Sequence, residues 1–147
     1  MRTMLFTFVM ALVVAPAASS CSKAEDATRE EARPTGRTEV QVPTVSIDEL
    51  DRLLAAGGQA VDANGAPTRK KLGVIPGAVL LSDFETFLPS ELPADKAKPL
   101  VFYCANTHCG ASHEAAARAL TAGYTNVRVL PDGIAGWVKA GKQTAQI

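Results

Sequence analysis

Cysteine is scarce in this chain: Cys21, Cys104 and Cys109 are the only three in 147 residues. They are too few for a disulfide scaffold and too scattered for a zinc ribbon. An excess of positive charge is missing as well. The 15 Lys and Arg residues balance the 15 Asp and Glu residues, and no basic stripe runs along any segment, so the electrostatic basis of nucleic-acid binding is absent. An apolar run long enough to cross a membrane comfortably is also lacking, because the stretch from Met4 to Ala18 is short and abruptly ended.

That short run carries a different message. Arg2 precedes it and small residues follow it, the pattern of a secretory signal over residues 1–20. Ala18-Ser19-Ser20-Cys21 is similar to a bacterial lipobox, with Ala18 where Leu is usual. On that reading Cys21 is lipidated and becomes the mature N-terminus; on the other, cleavage falls after Ala17 or Ala18 and leaves Cys21 unpaired. Either way the protein is expected in the cell envelope or periplasm, an oxidising compartment. Residues 21–41 read as a linker, crowded with charge, poor in large apolar groups and interrupted by Pro34 and Gly36. As a flexible coil it would hold the domain on the order of 25 Å from a membrane anchor.

Residues 42–147 are expected to be one folded domain, with its elements between about Val42 and Lys142. Ser46 and Glu49 have the spacing of a capping box, and Ile47, Leu50, Leu53 and Leu54 put apolar groups on one face of a helix that Gly57-Gly58 ends. Ala60 to Asp62 reads as a strand, Ala63 to Lys71 as a polar loop with three consecutive cations, and Val79 to Leu81 as a second strand. Ser82 and Glu85 predict a second capped helix carrying Phe84, Phe87 and Leu88 inward. After the strand Leu100 to Tyr103 come a helix from Ser112 to Ala122, a strand from Val127 to Leu130 and a last helix from Ile134 to Ala140. This alternation argues for an α/β fold, a mostly parallel sheet with helices on both faces and a site outside the carboxyl ends of the strands.

Cys104 sits at such an end. The turn from strand to helix can aim several backbone N–H groups at one point, so the expectation is a thiol pressed toward thiolate in a cradle suited to anions. Cys109 is open to three readings: a resolving thiol, a permanent disulfide partner of Cys104, or filler. Cys104, His108, Cys109 and His113 are ligand types for copper or zinc, but with no matching set elsewhere no metal and no cofactor is expected. His108 reads instead as an exposed residue tuning thiolate charge, and His113 as part of the first helical turn. Asp62 reads as a strand-end carboxylate that bonds loop amides, and Arg69 to Lys71 as a solvated face or an anion-attracting rim.

The order Gly73-Val74-Ile75-Pro76-Gly77-Ala78, Phe102-Tyr103-Cys104, Ala111-Ser112, Gly123-Tyr124-Thr125-Asn126-Val127 and Asp132-Gly133-Ile134-Ala135-Gly136-Trp137 resembles a single-domain rhodanese, of a subgroup with Cys-x4-Cys-x-Ala-Ser. The resemblance implies a three-layer sulfurtransferase fold in which Cys104 takes sulfane sulfur from a thiosulfate-like anion, holds it as a persulfide and passes it to a thiol or cyanide. Ala105, Asn106, Thr107, His108, Cys109 and Gly110 would surround that sulfur. Where many rhodaneses carry an arginine at the far end of this loop, the chain has Cys109. Without an arginine to clamp phosphate, the chemistry of the related cell-cycle phosphatases is not expected. The family's Asp-x-Arg pair reads Asp62-Ala63-Asn64 here, leaving Arg69 or Lys70 as cations that could reach the mouth of the site. The alternative function is a non-catalytic binding or redox-sensing module that toggles Cys104 and Cys109 between dithiol and disulfide.

Overall fold

A computed structural model describes residues 40–147. The predicted signal, the lipobox with Cys21 and most of the predicted linker lie outside the described residues. The first helix, α1 (Ile47–Ala55), begins as the sequence predicts: the Ser46 side chain accepts from the Glu49 N–H, and the Ser46 N–H donates to Glu49 Oε2 at 2.7 Å. Strands β1 (Gln59–Asp62), β2 (Val79–Leu80), β3 (Leu100–Tyr103) and β4 (Val127–Leu130) form a parallel sheet in the order β2-β1-β3-β4. The remaining helices are α2 (Ala66–Leu72), α3 (Ala111–Thr121) and α4 (Gly133–Lys139).

Period-two alternation along the strands divides the core into two layers. Leu100 and Phe102 of β3 point to one face, where Val61, Val127 and Val129 meet Ala115, Ala116 and Ala119 of α3. Small side chains on α3 let its backbone lie close to the sheet, and Phe87, Leu92 and Tyr124 fill the space around it. Val101 and Tyr103 point to the other face, where Leu50 of α1 and Ile134 and Trp137 of α4 cover them. Helices therefore cover both faces of the sheet. Full burial of a side chain such as Leu50 or Ile134 contributes about 1.5–3 kcal/mol.

Two expectations are corrected. The polar stretch read as a loop is helix α2: Gly65 caps it with extended backbone and Pro67 occupies the first turn, where its missing N–H costs nothing. The helix expected after Ser82 does not form. Asp83 Oδ1 accepts from the N–H groups of both Glu85 (2.8 Å) and Thr86 (2.9 Å), closing a turn, while the Ser82 N–H and hydroxyl both reach Glu91. Phe87 is buried as expected, but Leu88 is 61% exposed, leading into a short 3-10 turn at Pro89–Glu91.

Candidate active site

All four residues of β3 are buried, and register pairs Asp62 with Tyr103 and Tyr103 with Leu130. Three strands thus end level with one another, and Cys104 is the first residue beyond that edge. Only 1% of it is exposed. The loop that follows is closed by Asn106, whose carbonyl accepts from the Cys109 N–H at 3.1 Å and whose Oδ1 accepts from the His108 N–H at 3.0 Å. Gly110 then starts α3, its carbonyl accepting from His113 and Glu114.

A second element holds the loop from behind. The N–H groups of Ile134 and Ala135, in the first turn of α4, donate to the carbonyls of Cys104 (2.9 Å) and Ala105 (3.0 Å). Gly133 is required for this approach. Its φ is +59°, and a Cβ there would stand 2.8 Å from the Ala105 carbonyl carbon and 2.8 Å from the Asn106 nitrogen. The Asp132-Gly133-Ile134 motif is therefore part of the site's scaffold, a role that sequence reading left unassigned.

The two loop cysteines are free thiols with different surroundings. Cys104 donates to the Cys109 carbonyl at 3.0 Å, and its sulfur lies 3.2 Å from Ser112 Oγ. A thiol has one proton, so Ser112 is the donor in the second contact. Burial pushes the Cys104 thiol up, and the bond to Cys109 adds to this, against the opposing effect of the Ser112 hydroxyl and N–H. Cys109 is half-buried. Burial acts upward on it too, but the neighbouring Cys104 side chain and the backbone N–H groups of Ala105 and Ala111 outweigh it and bring it below the ordinary cysteine range. The expectation that the cradle presses Cys104 toward thiolate is thus corrected. Ala105 and Ala111 serve Cys109, the His108 and Cys109 amides are held by Asn106, and Ser112 alone serves Cys104.

Asp62 is fully buried and bonds a loop amide as predicted, the Asn64 N–H at 2.6 Å. It also accepts the Tyr103 hydroxyl at 2.9 Å, and that hydroxyl accepts the Ile75 N–H at 3.1 Å. Burial, then the Asp62 charge, drives Tyr103 far above the tyrosine range, so it stays a neutral donor. Arg69 is turned inward: its Nε is 3.5 Å from Asp62 Oδ1 and one terminal nitrogen donates to the carbonyls of Asp62 (3.1 Å) and Leu81 (2.9 Å). Lys70 and Lys71 remain exposed. Thr107, His108 and His113 are exposed, with His108 Nδ1 3.4 Å from Thr107 Oγ1. No cluster of three metal-ligating side chains exists among the described residues.

Residues 46–140 match the family model for the rhodanese-like domain. Solved structures share the fold. A rhodanese-like domain from Anabaena superposes with a TM-score of 0.59 at 22% identity, covering 73% of this chain and 81% of its own. The human single-domain sulfurtransferase TSTD1 gives 0.54 at 27%, covering 67% of this chain and 97% of its own. A protein from Rhodopseudomonas palustris described as a possible tyrosine phosphatase gives 0.58 at 23%, covering 71% and 85%. No curated protein matches the sequence closely enough to count as a relative.

Proposed function

We propose that this chain, which belongs to the rhodanese-like domain family, is a sulfurtransferase that moves sulfane sulfur from a thiosulfate-like anion to a thiol or cyanide through a persulfide on Cys104. The observation that carries the reading is the position of that thiol, at the carboxyl end of the central strand with the Ser112 hydroxyl 3.2 Å from its sulfur. Cys104 attacks the outer sulfur of the donor as thiolate, the donor's S–S bond breaks, and sulfite leaves with the electron pair. The Ser112 hydroxyl and N–H stabilise the thiolate. The acceptor then attacks the outer sulfur of the persulfide and returns Cys104 to thiolate, a ping-pong sequence.

The sequence pattern of residues 1–21 supports an exported protein held at a membrane through a lipid on Cys21. Fatty-acid labelling in a bacterial host, with Cys21→Ser as control, tests that part separately. The chemistry is tested by thiocyanate formation from thiosulfate and cyanide: Cys104→Ser should abolish it, and an unchanged rate in that variant would remove Cys104 from the reaction. The related phosphatase chemistry lacks support, because residues 104–110 contain no arginine to clamp phosphate.

A further inference from the structure

Cys109 has a place in the loop that simple sulfur transfer does not use. Asn106 closes the loop on itself, bringing the Cys109 carbonyl 3.0 Å from Cys104 Sγ, and the two side chains are near enough for each to shift the ionisation of the other. The nucleophile is buried, whereas its partner is partly open to solvent. The backbone N–H groups of Ala105 and Ala111 favour the thiolate of Cys109, in the same short loop as the atom that carries the persulfide.

The geometry points to a second activity, resting on the sulfurtransferase reading: Cys109 resolves the Cys104 persulfide within the loop and releases the transferred sulfur as sulfide. Cys109 Sγ attacks Cys104 Sγ, the bond to the outer sulfur breaks, and that sulfur leaves with the electron pair and a proton. The two side chains give up two electrons and become a Cys104–Cys109 disulfide, and the sulfane sulfur gains them as hydrosulfide. Thiol–disulfide exchange with two equivalents of a small thiol then restores the dithiol. The chain would thus reduce sulfane sulfur when thiols are plentiful and stall as the disulfide when they are not. A five-residue separation closed by an internal turn brings the Cys109 backbone up against the Cys104 sulfur, so the bond closes within one short loop.

The experiment uses the reduced full-length chain carrying Cys21→Ser, so that only the loop cysteines remain. It is mixed with thiosulfate in the absence of any added thiol, and sulfide, thiol content and intact mass are followed. Sulfide stoichiometric with chain, together with a product two hydrogens lighter, is the expected result. Cys109→Ser should instead hold a stable added sulfur atom that cyanide removes, with no sulfide. If the chain with both loop cysteines holds the added sulfur and releases no sulfide, the resolving role is wrong while sulfur transfer stands. Added sulfur mapped to Cys109 would overturn it too, because attack would then fall on the outer sulfur. If Cys109→Ser takes up no sulfur, the sulfurtransferase reading fails and this inference with it.

Discussion

Ser112 Oγ, in the first turn of α3, donates to Cys104 Sγ at 3.2 Å just beyond the end of β3. It is the side chain that favours the anionic form of a sulfur otherwise held as thiol by burial. Ser112→Ala should therefore raise the pH at which Cys104 becomes reactive and slow sulfur uptake near neutrality by roughly tenfold, the size of a hydrogen bond to a charged group. The pH profile of persulfide formation checks this. A lowered rate with an unmoved profile would make Ser112 a packing residue only.

The two thiols should separate by pH. Cys109 lies below the ordinary cysteine range and Cys104 above it, so on raising the pH Cys109 ionises first. Iodoacetamide at about pH 7 should modify Cys109 well before Cys104, since the thiolate is the reactive form. Peptide mapping by mass spectrometry against time gives the order. Faster modification of Cys104 would reverse the assignment of the amide cradle.

Much of this site was legible before folding. The apolar run Leu100 to Tyr103 places Cys104 at a strand end, and the Ser46 and Glu49 spacing places α1, because both signals are local. What escaped depends on contacts distant in sequence. Helix α2 was hidden because Gly65 has no side chain to announce a cap and Pro67 reads as a breaker. The spacing of Ser82 and Glu85 misled because Asp83 offers a closer acceptor to the same amides and Glu91, nine residues away, takes Ser82. Which sulfur the amides serve could not be read from Cys-x4-Cys, since it depends on how Asn106 folds the loop.

Gly133 offers a test of the scaffold behind the loop. Gly133→Ala should lower the unfolding free energy by about 2–4 kcal/mol, combining positive-φ strain with a collision against the Cys104–Asn106 backbone. It should also impair sulfur uptake under conditions where the chain is still folded. Gly123→Ala is the control: its φ is +93° but a Cβ there meets nothing within 4 Å, so only the strain, about 1 kcal/mol, is expected. Urea unfolding followed by tryptophan fluorescence compares them. Equal losses would show that the contact with the loop contributes nothing.

Arg69 separates a structural cation from an anion-attracting rim. Its side chain is 11% exposed and faces the fully buried Asp62 carboxylate and two backbone carbonyls. Removing one partner of such a pair leaves a buried charge with less compensation, at a cost of about 3–5 kcal/mol. Arg69→Met should therefore lower stability by that order, and Asp62→Asn in the same chain should recover part of it by removing the stranded charge while leaving Tyr103 an acceptor. A rim residue would behave otherwise: its loss would raise KM for thiosulfate, more strongly at low salt, and leave the unfolding midpoint alone. Urea midpoints and KM measured on the same two variants decide between the roles, and a KM effect without destabilisation would return Arg69 to the mouth of the site.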